Sequence, residues 1–469
     1  MQSGPARQYP AGTRIGAGTP YNPPFVRHEK VVFQSRLGGV LRSTVPESPD
    51  LGIVPNLAVS LRSRTVLPAT LLGGLGPRLP LIIVAALITV AAWQSAEAAG
   101  IRQAALALTG VGLGLALARS GFGFAGAWRA AVVENRGAGL RAQLALLAVL
   151  TVVFFPLLAR GEAFGQPLAD VVRPVGVSLL IGAFLFGIGA QLASGCSSGS
   201  FCGLGNGKLR YLVVAISMVA GAFLASAHWG WWESQPRWFA FSMLRTWGPG
   251  PALAVNLFLI GALAAVSVWI ERKRYGRLDR RPPTDYHLLR GPWPMSVGVL
   301  ALAALCVATL LLAGRPWIII SALPLWGAKV SASAGLPWDV EFWDYWSGDA
   351  RLDALGAGVW SDITTVMIVG LVLGTALASA LSGTLRLHLK IGAAEGLAAL
   401  AGGFLLGYGG VIGLGCNIGA FLAGVSSGSL HGWVWLAAAF AGTAVGVGIN
   451  TLAAMAGRQF RGGPASAPA

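Results

Sequence analysis

Between residues 80 and 455 the sequence is a succession of apolar stretches, at 80–98, 103–120, 141–159, 175–193, 209–228, 251–270, 293–313, 358–381, 391–410 and 433–455. Each approaches or exceeds the ~20 residues a helix needs to cross a hydrocarbon core of about 30 Å. Backbone amides find no water in that core, so segments of this length must close their hydrogen bonds as helices. The chain therefore reads as an all-α polytopic membrane protein. Of its 469 residues 55% are hydrophobic and only 11% charged, against roughly 25% charged in a soluble domain. The formal charge of +16 sits mainly in the N-terminal tail and in loops. There it signals topology, and no nucleic-acid partner is expected. Four cysteines without close metal-type spacing predict neither a disulfide framework nor a metal site, and no cofactor.

Two of the stretches run into glycine-rich breaks that each hold a cysteine. The first is GIGAQLASGCSSGSFCGLGNG, 187–207, with Cys196 and Cys202; the second is GYGGVIGLGCNIGAFLAGVSSGSLHG, 407–432, with Cys416. Irregular backbone at membrane depth is tolerated only inside protein or along a wet cavity. Matched interruptions in two halves of a chain point to a transporter's binding site.

Loop charges give an orientation. The loop 271–290 carries seven Lys or Arg against three acids and is placed in the cytoplasm, whereas 336–354, with five acids, one Arg and an aromatic cluster, is placed outside. Threading the spans between these anchors puts both termini in the cytoplasm. It sends 175–193 inward and 391–410 outward, so the two cysteine breaks have opposite orientation, as in an inverted repeat. The short apolar pieces 121–133 and 315–330 are read as re-entrant half-helices forming a second inverted pair. The expected organisation is a disordered basic tail (1–78, nine Lys or Arg against three acids), a first repeat (79–270), a basic linker (271–292), a second repeat (293–456) and a short tail (457–469). No apolar leader follows Met1, so no secretory signal is expected.

Within the breaks, Gly195 to Gly199 (with Ser197 and Ser198) and Gly415 to Gly419 (with Asn417 and Ile418) hold no Asp, Glu or His. Cation coordination therefore lacks its usual ligands. Ser and Asn are favoured N-caps, and helices starting there would aim free amides and positive dipole ends into the break, an arrangement that suits anions. A cysteine adds a weak S–H donor and a polarizable sulfur, matched to an anion that carries soft sulfur itself. Cys306, inside ALAALCVATLLLAG, reads as a packing residue, and Cys202 as intermediate. Arg119, Arg129, Arg315 and Lys329 flank the half-helices and predict an electropositive funnel on both faces.

These residues resemble the YeeE/YedE family of sulfur-compound transporters over roughly 100–455. The resemblance rests on GLGCNIGAFLAGVSSGSLHGWVWLAAAFAG, FLFGIGAQLASGCSSG, GRPWIIISALPLWGAK (with Trp317) and WDVEFWDYW. It implies an hourglass-like helical fold with a pseudo-twofold axis in a bacterial inner membrane. It also implies import of thiosulfate, handed across by transient S–H···S hydrogen bonds, a role that falls here to Cys196 and Cys416. The implied protein partner is a small sulfurtransferase-like carrier in the cytoplasm. Relatives commonly carry a further cysteine in an F-C-F motif followed by an Arg; here GFGFAGAWR puts Gly123 in that place. Either Cys202 supplies the third thiol or another sulfur or selenium species is carried. A transporter, not an enzyme, is expected; the alternative from another class is a membrane thiol–disulfide electron carrier.

Overall fold

The computed structural model describes residues 78–279, 287 and 291–461. Nearly all of the expected basic tail, part of the linker and residues 462–469 lie outside the described residues. The apolar stretches form helices with ends close to those expected: α1 (Leu79–Ala99), α2 (Ile101–Ser120), α4 (Ala138–Arg160), α5 (Val177–Leu192), α7 (Leu209–Ala227), α10 (Pro249–Tyr275), α11 (Met295–Ala313), α14 (Ile363–Leu381), α15 (Ala393–Ile412) and α17 (Leu430–Arg461). The half-helices are α3 (Ala125–Glu134) and α12 (Ala322–Ser333). Shorter pieces are α6 (Ser197–Gly205), α8 (Trp229–Glu233), α9 (Met243–Trp247), α13 (Asp349–Gly356), a π-helical turn (Asn417–Leu422) and α16 (Ala423–Ser426). Among the described residues the strand content is one two-residue pair, Glu162–Ala163 against Gln166–Pro167. Among the described residues, ten helical segments are long and apolar enough to span a bilayer. The fold is an all-α polytopic membrane protein.

The inversion is written into the packing of α5 on α15. A side chain on Gly182 would meet the backbone of Gly413, and one on Gly402 would meet the backbone of Ala193. Likewise Gly189 lies against Gly402 and Leu406, and Gly409 against Gly182 and Phe186. Every partner reappears 220 positions on in the other helix, with the two chains antiparallel. Small residues let membrane helices approach to backbone contact, and here they do so reciprocally about a pseudo-twofold axis.

The short helices obey the same symmetry. The ring of Phe201 on α6 meets Trp326 on α12 edge-on at 6.0 Å. Phe421, 220 positions later in the π-helical turn, meets Trp128 on α3 at 6.4 Å. Each half-helix is thus held against a break from the other half of the chain. Trp435 extends the second contact, 6.3 Å from Trp128 and 5.4 Å from Phe186. Two amides anchor α3 further: Gln143 accepts from the Trp128 indole (2.8 Å) and donates to the Gly123 carbonyl (2.9 Å), and Gln191 donates to the Ala125 carbonyl (3.2 Å).

At one end of the bundle α10 runs to Tyr275, past the expected boundary of the basic linker. It does so because Glu271, with no exposed surface, is tied to Arg141 (2.8 Å), Arg136 (3.4 Å) and the Gly137 amide at the start of α4 (3.0 Å). A carboxylate at a helix N-terminus is also favoured by the helix dipole.

Candidate functional site

The two breaks are one local structure used twice. After α5, Ser194 takes a left-handed conformation (φ +57°), the Gly195 amide donates to Ala190 (2.9 Å), and Cys196 is extended. After α15, Leu414 is left-handed (φ +61°), the Gly415 amide donates to Gly410 (2.8 Å), and Cys416 is extended. The carbonyls of Cys196 and Cys416 then accept from Ser200 and Ala420, both at 2.8 Å. Left-handed backbone costs a non-glycine residue about 1–2 kcal/mol, and it recurs two residues before each thiol. Gly415 (φ +149°) needs glycine outright, since a side chain there would sit 2.7 Å from the Ala420 amide.

The cysteines themselves occupy the N-cap positions, whereas Ser197 and Asn417 are the first helical residues. The capping expected of Ser197 and Asn417 is corrected by one residue, because the extended backbone that turns each chain falls on the cysteine. Their side chains are left over for other work. The Ser197, Ser200 and Asn417 side-chain oxygens and the Trp317 indole N–H are buried without a partner among the described residues. An unpaired buried polar atom costs about 1–3 kcal/mol, and these four are set among the core residues that pack the breaks.

The breaks separate two cavities. One, of about 280 Å³, is lined by Gly123, Cys196, Ser198, Gly199, Cys202 and Lys208. The Cys196 thiol lies 3.3 Å from the Ser198 hydroxyl, and a side chain on Gly123 would meet nothing within 4 Å. The other, of about 440 Å³, is lined by Arg173, Arg315, Tyr345, Arg351, Leu414 and Gly415. Asp362 belongs to this second cavity and Thr375 to the first. Being 13 residues apart along α14, these two lining residues stand about 20 Å from each other. Between the cavities Gly195, Cys416, Asn417, Ile418 and Gly419 are buried. The Ile418 and Gly419 amides face the Cys416 sulfur, and Cys196 lies within its electrostatic reach.

Three guanidinium groups make the larger cavity electropositive. Burial, then the charges of Arg351 and Arg315, push the pKa of Arg173 down. Burial also lowers that of Arg315, which the nearby Asp362 charge opposes. Arg315 donates to the Thr364 hydroxyl (3.3 Å), and Arg351 donates to the Tyr345 carbonyl (2.7 Å). Sequence reasoning missed Arg173 and Arg351. The signal available was Arg351 itself, the single cation in an otherwise acidic loop.

Three expected cations are not at either cavity, and the first, Arg119, donates to the Ser382 hydroxyl. Arg129 is exposed on α3 and lines neither. Lys329 is spent on the carbonyls of Leu355 (3.0 Å) and Ala357 (2.6 Å), where it neutralises the C-terminal end of α13. A flanking charge on a short helix can turn outward or toward a neighbouring helix end, and both have done so. Cys306 is buried on α11, away from both cavities. No cluster of metal-ligating side chains occurs among the described residues.

A family model described as "Sulphur transport" matches residues 119–445. Thiosulfate transporter TsuA of Spirochaeta thermophila is 29% identical over 269 residues, covering 55% of this chain and 73% of that protein. Probable transporter YedE of Salmonella typhimurium is 26% identical over 160 residues (34% and 38%), and its namesake from Escherichia coli 31% identical over 102 residues (21% and 25%).

Proposed function

The chain belongs to the sulphur-transport family, and from that premise we propose that it imports a small sulfur-containing anion, thiosulfate first among them, through the two cysteine breaks. The observation that carries this reading is the placement of Cys196 and Cys416 at equivalent N-caps of oppositely directed helices, between two cavities. In this reading the arginine cavity opens outside and the cysteine cavity opens to the cytoplasm of a bacterial inner membrane. Both termini lie on the cytoplasmic side. The charge of the loops supports that orientation: the acidic segment 336–354 lies at one end and the basic stretch 271–290 follows α10.

The anion enters the arginine cavity and sheds water against guanidinium donors. It then passes Gly415 to Cys416, whose S–H donates to the terminal sulfur while the Ile418 and Gly419 amides support its charge. Cys196 takes it over on the far side, with Ser198 at 3.3 Å, and Cys202 receives it in the cysteine cavity. The unpaired Ser197 and Ser200 hydroxyls and the Trp317 indole N–H can donate to the anion in place of water. No bond to sulfur is made or broken, so the chain is read as a transporter and not an enzyme. A cytoplasmic sulfurtransferase-like carrier would remove the anion at Lys208.

The test is uptake of labelled thiosulfate by cells lacking their own sulfur importers. Saturable uptake that is lost in Cys416→Ala and kept in Cys306→Ala is expected. Undiminished uptake by Cys416→Ala would sink the thiol relay. Trapping of a Cys196–Cys202 disulfide that supports electron transfer instead would favour the redox-carrier alternative.

A further inference from the structure

We infer that the arginine cavity is a binding site for doubly charged tetrahedral oxyanions that reads charge and shape but not sulfur, so that sulfate occupies it without being carried onward. The inference rests on the transport reading for the direction of traffic, and on the cavity's own chemistry for the rest.

The residues come from separate parts of the chain. Arg173 lies between α4 and α5, Arg315 just after α11, and Arg351 on α13. Among the described residues, none of the three forms an ion pair with a carboxylate. The two acids at the cavity are otherwise engaged. Asp170 is held two-pronged by Arg245, at 2.7 and 2.9 Å, and Asp362 caps α14 by accepting from the Thr365 amide and hydroxyl. Three guanidiniums thus face about 440 Å³ against one carboxylate that no cation pairs among the described residues, Asp362, and positive charge is left in excess. Gathering like charges in one cavity is unfavourable by itself, and a dianion is the ligand that relieves it.

Two of the cations are also held in position, Arg315 by the Thr364 hydroxyl and Arg351 by its neighbours. Arg351 stacks on Tyr345, its guanidinium carbon 4.2 Å from the ring centre, with Trp229 at 5.7 Å. A fixed planar fork is suited to oxyanion oxygens. Nothing in the lining is soft: no Cys or Met reaches this cavity, whose floor is Leu414 and Gly415. Sulfate and thiosulfate share charge and tetrahedral shape and differ in one atom, so groups that touch oxygens cannot tell them apart well. Discrimination is left to Cys416, one residue beyond the floor. Capture and selection are therefore separate steps, and external sulfate acts as a competitive brake on uptake.

The measurement is equilibrium binding of labelled sulfate to the purified full-length protein in lipid nanodiscs. Saturable binding displaced by thiosulfate is expected. It should weaken about tenfold in Arg173→Gln, the worth of one charge-assisted hydrogen bond, and less in Arg173→Lys. Cys416→Ala should bind sulfate as tightly as the unaltered protein. Absent saturable sulfate binding, or unchanged binding in both Arg173→Gln and Arg351→Gln, would overturn the inference. So would a tightly retained phospholipid that sulfate fails to displace. If Arg173→Gln elutes or melts differently from the parent, Arg351→Gln and the Lys variant decide. Sulfate binding without thiosulfate uptake defeats the transport reading alone; uptake without sulfate binding defeats this inference alone.

Discussion

Replacing Gly182 by alanine tests whether the two halves hold each other's breaks. The added carbon would sit 2.2 Å from the Gly413 nitrogen, 2.5 Å from its Cα and 2.8 Å from the Gly409 oxygen. Ordinary contact begins at 3.4 Å, so the shortfall is about 1.2 Å, and all three atoms are backbone. No side chain can rotate aside, and α5 and α15 must separate. Overpacking of this kind costs about 1–3 kcal/mol, and separation also loosens the Gly189 and Gly409 contacts. Gly413 stands three residues before Cys416, so the strain falls on that break. A displacement near 1 Å can cost on the order of a hundredfold where groups must be aligned, and uptake should fall at least about tenfold. Gly402→Ala should act equally on the Cys196 break, because its carbon would lie 2.3 Å from the Ala193 nitrogen. The double variant should cost less than the sum, since one separation accommodates both. Thermal unfolding in detergent together with labelled-thiosulfate uptake reads both effects, and Gly261→Ala, with nothing within 4 Å, serves as the control. Parental stability and uptake in both variants would refute the argument that this contact positions the thiols.

Three further outcomes are expected. Gly123→Cys should restore much of the uptake lost in Cys202→Ser, since position 123 lines the same cavity with open space around it; no rescue would separate the two positions functionally. Glu271→Gln should destabilise the protein by about 1.5–3 kcal/mol, because the partly exposed Arg136 and Arg141 lose a charged hydrogen-bond partner; denaturation in detergent measures it, and an unchanged midpoint would contradict the assignment. Asp170→Asn should lower the thiosulfate concentration giving half-maximal uptake, and Arg245→Gln should raise it by a factor of a few, as the uncovered carboxylate repels the anion.

What could be read from the sequence follows the distances involved. Spans, half-helices and breaks are encoded within ~20 neighbouring residues, and most ends came out close to those expected, although α12 begins at Ala322, seven residues after the expected start at 315. The antiparallel relation of α5 and α15 was also legible, because loop charge fixes direction. The capping residue was misplaced by one, since Ser and Asn propensity does not reveal where the backbone turns extended. The arginine cavity was only partly visible. Arg315 sits beside a half-helix, but Arg173 and Arg351 reach it from loops that only the tertiary fold brings together. Lys329 and Arg129 had the right charge and neighbourhood and the wrong direction, which depends on the end of α13 and on which face of α3 is covered.

The reciprocal glycine contact also bears on ancestry. Two surfaces that grip one another at matched positions, antiparallel in a bilayer, have the geometry of a homodimer whose subunits inserted in opposite directions. Fusing such subunits fixes their ratio and frees each copy to drift. Drift is visible where the first half has an α-helical turn at Ser197 and the second a π-helical one at Asn417. A single added residue is enough to convert one into the other. The two thiols are therefore presented on unequal scaffolds, and the two sides of the chain are chemically distinct.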